Sequence, residues 1–144
     1  MGTKRSKRSG GTFAPTHTPI DRRGLEAALE LFVNTFVVAD KRTQLRTRLL
    51  AAERRDETLA TLPRWLARSV PLEGADRSPD GATARFGEVL GVHLDASGAS
   101  GAHRTTIANA LGLGRAKASL FVADNGNLAV VTSADGTAVL CSRF

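Results

Sequence analysis

The chain has 144 residues, 42% of them apolar and only 5% aromatic, with no Tyr and a single Cys. That is enough for one hydrophobic core built of Leu, Val and Ala, and it excludes an intramolecular disulfide and a multi-Cys zinc site. The formal charge is +6, but it is unevenly spread: residues 1–23 hold six Lys or Arg against Asp21, and the other 121 residues carry a net charge of only +1.

Met1 to about Ile20 is rich in Lys, Arg, Ser, Gly, Thr and Pro and has little to bury, so it reads as a disordered basic tail. Within it, Lys4, Arg5, Lys7 and Arg8 form a run suited to phosphate or to an acidic protein surface. No apolar stretch follows the basic residues, so the tail does not read as a secretory signal. No run approaches the roughly 20 apolar residues of a membrane span, and no membrane partner is expected.

From Arg22 to Val38, Leu25, Ala28, Leu29, Phe32, Val33, Phe36 and Val37 recur at helical spacing and predict an amphipathic helix. Asp40 reads as the N-cap of a second helix to about Ala52, with Leu45, Leu49 and Leu50 inward. A third helix fits Arg55 to Leu62, ended by Pro63. Eight basic residues (Lys41, Arg42, Arg46, Arg48, Arg54, Arg55, Arg64 and Arg68) decorate this region beside Glu53, Asp56 and Glu57, the pattern of a solvated helix surface. A helix-turn-helix over 40–62 lacks its usual Gly turn. Residues 71–84 read as a long loop, Phe86–Leu94 as a strand, and His103–Leu113 as a helix.

The last 27 residues hold three β-prone runs separated by Asn125-Gly126 and Asp135-Gly136, which predicts an antiparallel meander. With two-residue turns, Phe121 faces Val130 and Val130 faces Cys141. One face then carries Leu120, Val122, Val131 and Leu140, the other Phe121, Leu128, Val130, Val139 and Cys141. A three-residue loop at Gly136 would shift the third strand by one and exchange its faces. Neither face is polar, so the helices roof one, and the second is left for Phe144, the central loop or another chain.

The expected fold is α+β, with a tail (1–20) and one domain (21–144). The domain comprises helices (21–70), a loop (71–84), and a three- to four-stranded sheet with one helix (85–144). No catalytic, metal or cofactor motif stands out. His93 and His103, with Asp95, would make an acid–base or metal site only if the intervening loop folded back. Cys141 reads as a small hydrophobe, and Thr105 and Thr106 as helix caps. The first expectation is a non-catalytic protein-interaction module, docking on a protein or on itself through Leu120, Val122, Val131, Leu140 and the sheet edges. The second is nucleic-acid binding through the tail, helped by the helix arginines. The third is an enzyme using His93 and His103. The lone Cys suits a cytoplasmic setting, and the Arg/Ala/Gly-rich composition suits a bacterial or phage genome.

Overall fold

The computed structural model describes residues 17–95, 102–113, 117–135 and 137–142. The elements are β1 (His17–Pro19), α1 (Arg22–Phe36), α2 (Arg42–Leu50), α3 (Ala52–Ala60), β2 (Val70–Pro71), α4 (Pro79–Phe86), β3 (Leu90–Leu94), β4 (Ala102–Thr106), α5 (Ile107–Leu113), β5 (Ser119–Ala123), β6 (Leu128–Thr132) and β7 (Ala138–Ser142). Short 3-10 turns occupy Ala39–Lys41, Leu62–Trp65 and Gly74–Arg77.

The fold is α+β, but its sheet is larger than the expected three to four strands. Among the described residues, seven antiparallel strands lie in the order β1-β4-β3-β5-β6-β7-β2. The three unforeseen strands are short or polar: β1 and β2 have three and two residues, each with a proline, and β4 reads Ala-His-Arg-Thr-Thr. β1 also places His17–Pro19, part of the expected tail, inside the sheet.

The three N-terminal helices and the three meander strands form close to where the pattern put them, whereas the strand expected from Phe86 starts only at Leu90, and the first residues of the helix expected over His103–Leu113 belong to β4, so that α5 begins at Ile107. α1 is capped by Asp21, whose carboxylate accepts from the Gly24 N–H at 2.9 Å. Asp40, by contrast, caps nothing: it lies in a 3-10 turn, and α2 begins after Lys41 without a side-chain cap. The supposed loop 71–84 contains α4, started by Ser78, which accepts from the Gly81 N–H at 3.0 Å, and by Pro79 in the first turn.

The first hairpin keeps its expected register, Phe121 opposite Val130. The second is shifted by one, so Val130 faces Leu140 and Ala129 faces Cys141. Its loop holds three residues, closed by Ser133 N–H to the Thr137 carbonyl at 2.9 Å. Asp135 stabilises that loop by accepting from the backbone N–H and hydroxyl of Thr137, bonds that hold its carboxyl below the usual carboxylate range. The shift exchanges the faces of β7, the alternative noted above.

Both faces of the sheet are covered by this chain. On one, α1, α2 and α3 bury Leu29, Phe32, Leu45, Leu49 and Leu59 against Leu94, Leu120, Val122, Val131 and Cys141. On the other, α4 and α5 bury Ala82, Ile107, Ala110 and Leu111 against Phe121, Leu128, Val130 and Leu140. A strand buried on both faces needs no polar alternation, which is why the meander reads as apolar throughout.

Candidate functional site

The docking residues expected from sequence are core residues. Leu120 and Val131 are 0% exposed, Val122 is 3% and Leu140 is 5%, and the second hairpin's register puts Leu140 on the opposite face from the other three. The missing roof is supplied by α4 and α5, so none of the four offers a surface to a partner.

The sheet edges are also blunted. In an antiparallel pair, successive residues point their N–H groups alternately toward and away from the partner strand. Ile20 N–H bonds to the Ala102 carbonyl at 3.3 Å, so Pro19, one residue earlier, turns its nitrogen outward from β1. Leu72 N–H bonds to the Ala138 carbonyl at 2.9 Å, so Pro71 does the same on β2. Each outer edge therefore lacks a donor where an added strand would need one.

The two histidines do come together. His93 and His103 are register partners on β3 and β4 and share the face that α5 covers. His93 is 1% exposed, and it lies with Ile107, Leu111 and Phe121 around the buried hydrogen-bonded pair Ser119–Thr132, 2.5 Å apart. Asp95 is buried at the end of β3. Thr106 caps α5, its hydroxyl accepting from the Asn109 N–H, whereas Thr105 is buried in β4. Among the described residues, no group of three or more His, Cys, Asp or Glu side chains is placed to hold a metal. A groove of about 780 Å³ lies on the other side of the sheet, lined by α1, α2, the start of α3, Ile20 and Ala102. His93 is thus packed interior rather than the wall of a cleft, and His103 is half-buried. Cys141 is fully buried, and burial pushes its thiol up to about 12, far from a thiolate nucleophile at neutral pH.

What remains on the surface is charge. The eight basic residues of 41–68 stand against three acidic ones, a net +5, while the rest of residues 24–144 carries −4. The near neutrality of the body hides this segregation. Two of the arginines are used internally: Arg42 Nε donates to the Val37 carbonyl and Arg55 Nε to the Leu49 carbonyl, both at 3.0 Å, satisfying groups exposed at helix ends. Burial lowers the pKa of Arg55, opposed by the nearby charge of Asp95.

Of the others, Lys41, Arg54, Arg64 and Arg68 are exposed and Arg46 and Arg48 are half-buried. No ion pair among the described residues joins Lys41, Arg46, Arg48, Arg54, Arg64 or Arg68 to a carboxylate. Lys41 Nζ and Arg48 Cζ instead lie 5.7 and 5.6 Å from the centre of the Trp65 ring. Trp65 is half-buried, packed on the first core along one side, and its indole N–H reaches Thr61 Oγ1 at 3.4 Å. The 3-10 turn that ends α3 at Pro63 is what brings this ring to α2. Each of these residues is plain in the sequence, where the nearby Glu53, Asp56 and Glu57 suggest a charge balanced locally. Nothing in residue spacing shows that Glu53, Asp56 and Glu57 go unpaired with them.

α2 and α3 meet at Ala51 with no turn between them, and α3 exposes Glu53, Asp56 and Glu57. That acidic face does not suit insertion into a DNA groove. Lys4, Arg5, Lys7 and Arg8 lie outside the described residues. No helix among the described residues is long and apolar enough to cross a membrane. No family model, curated protein or solved structure matches this chain.

Proposed function

We propose that the protein is a non-catalytic nucleic-acid-binding accessory protein, contacting phosphates through the basic surface of α2 and the Leu62–Trp65 turn, with the basic tail as a second contact. The observation that carries this reading is the basic surface of 41–68, with Lys41 and Arg48 at Trp65 and, among the described residues, no carboxylate in an ion pair with either. Seven of the eight basic residues in 41–68 are Arg, whose forked donors fit phosphate oxygens in pairs. Within residues 24–144 the excess of positive charge is confined to 41–68, the remainder being net −4.

Fluorescence anisotropy of a labelled oligonucleotide, titrated with the full chain at several salt concentrations, tests this. Affinity should fall linearly in log–log form with salt, with a slope of roughly −0.9 per phosphate neutralised on duplex and roughly −0.7 on a single strand. The Lys41→Ala/Arg48→Ala double variant should weaken binding and flatten that slope by about 1 to 2. Deleting residues 1–10 should flatten it separately. Absence of binding at low salt, or affinity indifferent to both changes, refutes the proposal.

A further inference from the structure

We infer that Trp65 receives an unpaired base, so that the surface prefers single-stranded nucleic acid to duplex; this rests on the nucleic-acid reading above. Three observations converge on it. First, the basic face of α2 stands beside α3, which exposes Glu53, Asp56 and Glu57, and such an acidic neighbour opposes seating α2 in a groove walled by two phosphate backbones. Duplex contact would then be limited to the phosphate backbone. A single strand can offer both phosphate and base to one shallow surface.

Second, the ring is a fixed platform. Its packing on the first core and the Thr61 contact hold the indole, while Lys41 and Arg48 reach it on long side chains. Third, those cations are exchangeable occupants. A cation–π contact to a solvent-facing side chain is weaker than the stacking of a base on an aromatic ring. When a strand arrives, the cations gain phosphate oxygens and the ring gains a base, and both exchanges are favourable. Lys41 and Arg48 therefore shield the apolar ring in the free protein and clamp the backbone in the bound one.

Trp65 is the sole tryptophan, so its emission reports on this position alone. The full chain would be titrated with an oligothymidylate, with a duplex of equal length, and with inorganic polyphosphate. Binding would be followed by anisotropy or by competition, and stacking by tryptophan emission. Oligothymidylate should quench the emission strongly and bind about fivefold or more tighter than the duplex. Polyphosphate should compete for the protein without that quenching. Trp65→Phe keeps a ring and should retain part of the preference, while Trp65→Leu should abolish it, lowering affinity for oligothymidylate several-fold more than affinity for the duplex. Equal affinity for strand and duplex with unquenched emission overturns this inference and leaves the nucleic-acid reading standing. No binding of either oligonucleotide overturns both.

Discussion

Phe121 of β5 sets the tip of its ring against Gly91 of β3, where any side chain would have stood. A Cβ on Gly91 would come within 2.8 Å of Phe121 Cζ and would also run into the Val122 carbonyl oxygen. The second of these atoms is backbone and has no rotamer to yield. Gly91→Ala should therefore destabilise the protein by about 3 kcal/mol, read as a lower urea midpoint. Adding Phe121→Leu should recover little, because it frees the ring contact and leaves the carbonyl contact. Full recovery in the double variant would place the whole strain in the ring.

Cys141 gives a pH signature. Its thiol is raised from 9.0 to about 12 by burial alone. At neutral pH both folded and unfolded chains hold the proton, and the stability tied to the neutral buried thiol is fully present. Above about pH 9 the unfolded chain ionises first, and stability falls by about 1.4 kcal/mol per pH unit toward the folded value. Chemical denaturation at pH 7 and pH 10.5 should show a larger loss for the wild type than for Cys141→Ala. An alkylating reagent should leave the native thiol untouched and modify it once the chain is unfolded.

Arg55 supports the end of α2 from within α3. Its Nε bond to the Leu49 carbonyl is buried, and Arg55 itself is only 5% exposed. Arg55→Ala leaves that carbonyl unpaired and opens space beside it, at a cost of about 2 kcal/mol by thermal or chemical denaturation. Arg54→Ala, on an exposed neighbour, should change stability by less than about 0.5 kcal/mol. An equal effect of the two would mean that the buried bond contributes nothing.

Pro19 and Pro71 make a prediction about association. Pro19→Thr/Pro71→Thr restores an outward N–H on each outer strand. Light scattering of the double variant should show mass growing with concentration beyond that of the wild type. Identical behaviour would mean that some other feature protects the edges.

The elements legible in the sequence were those whose signal is local. α1 announced itself through seven apolar positions at helical spacing, and the β5–β6 hairpin through Asn125-Gly126. The β6–β7 register was not fixed by Asp135-Gly136, because that dipeptide also fits a three-residue loop. α4 carried a readable Ser78-Pro79 start that its Gly- and Asp-rich neighbours obscured. β1, β2 and β4 were out of reach: with three residues, two residues and a polar run, they are strands only because a neighbour offers hydrogen bonds. The candidate surface was half visible. Its residues were plain, but whether Arg48 meets Glu53 or Trp65 depends on where Pro63 turns the chain.

The separation of charge within the folded body gives the molecule a built-in compass. With 41–68 carrying a net +5, the remainder of 24–144 a net −4 and residues 1–23 a further +5, a distant polyanion would, on the nucleic-acid reading, be drawn to the basic stretches. The molecule would present those stretches before first touch, so a larger share of encounters would be productive. Raising the ionic strength shortens the reach of that field and should slow association more than it speeds release.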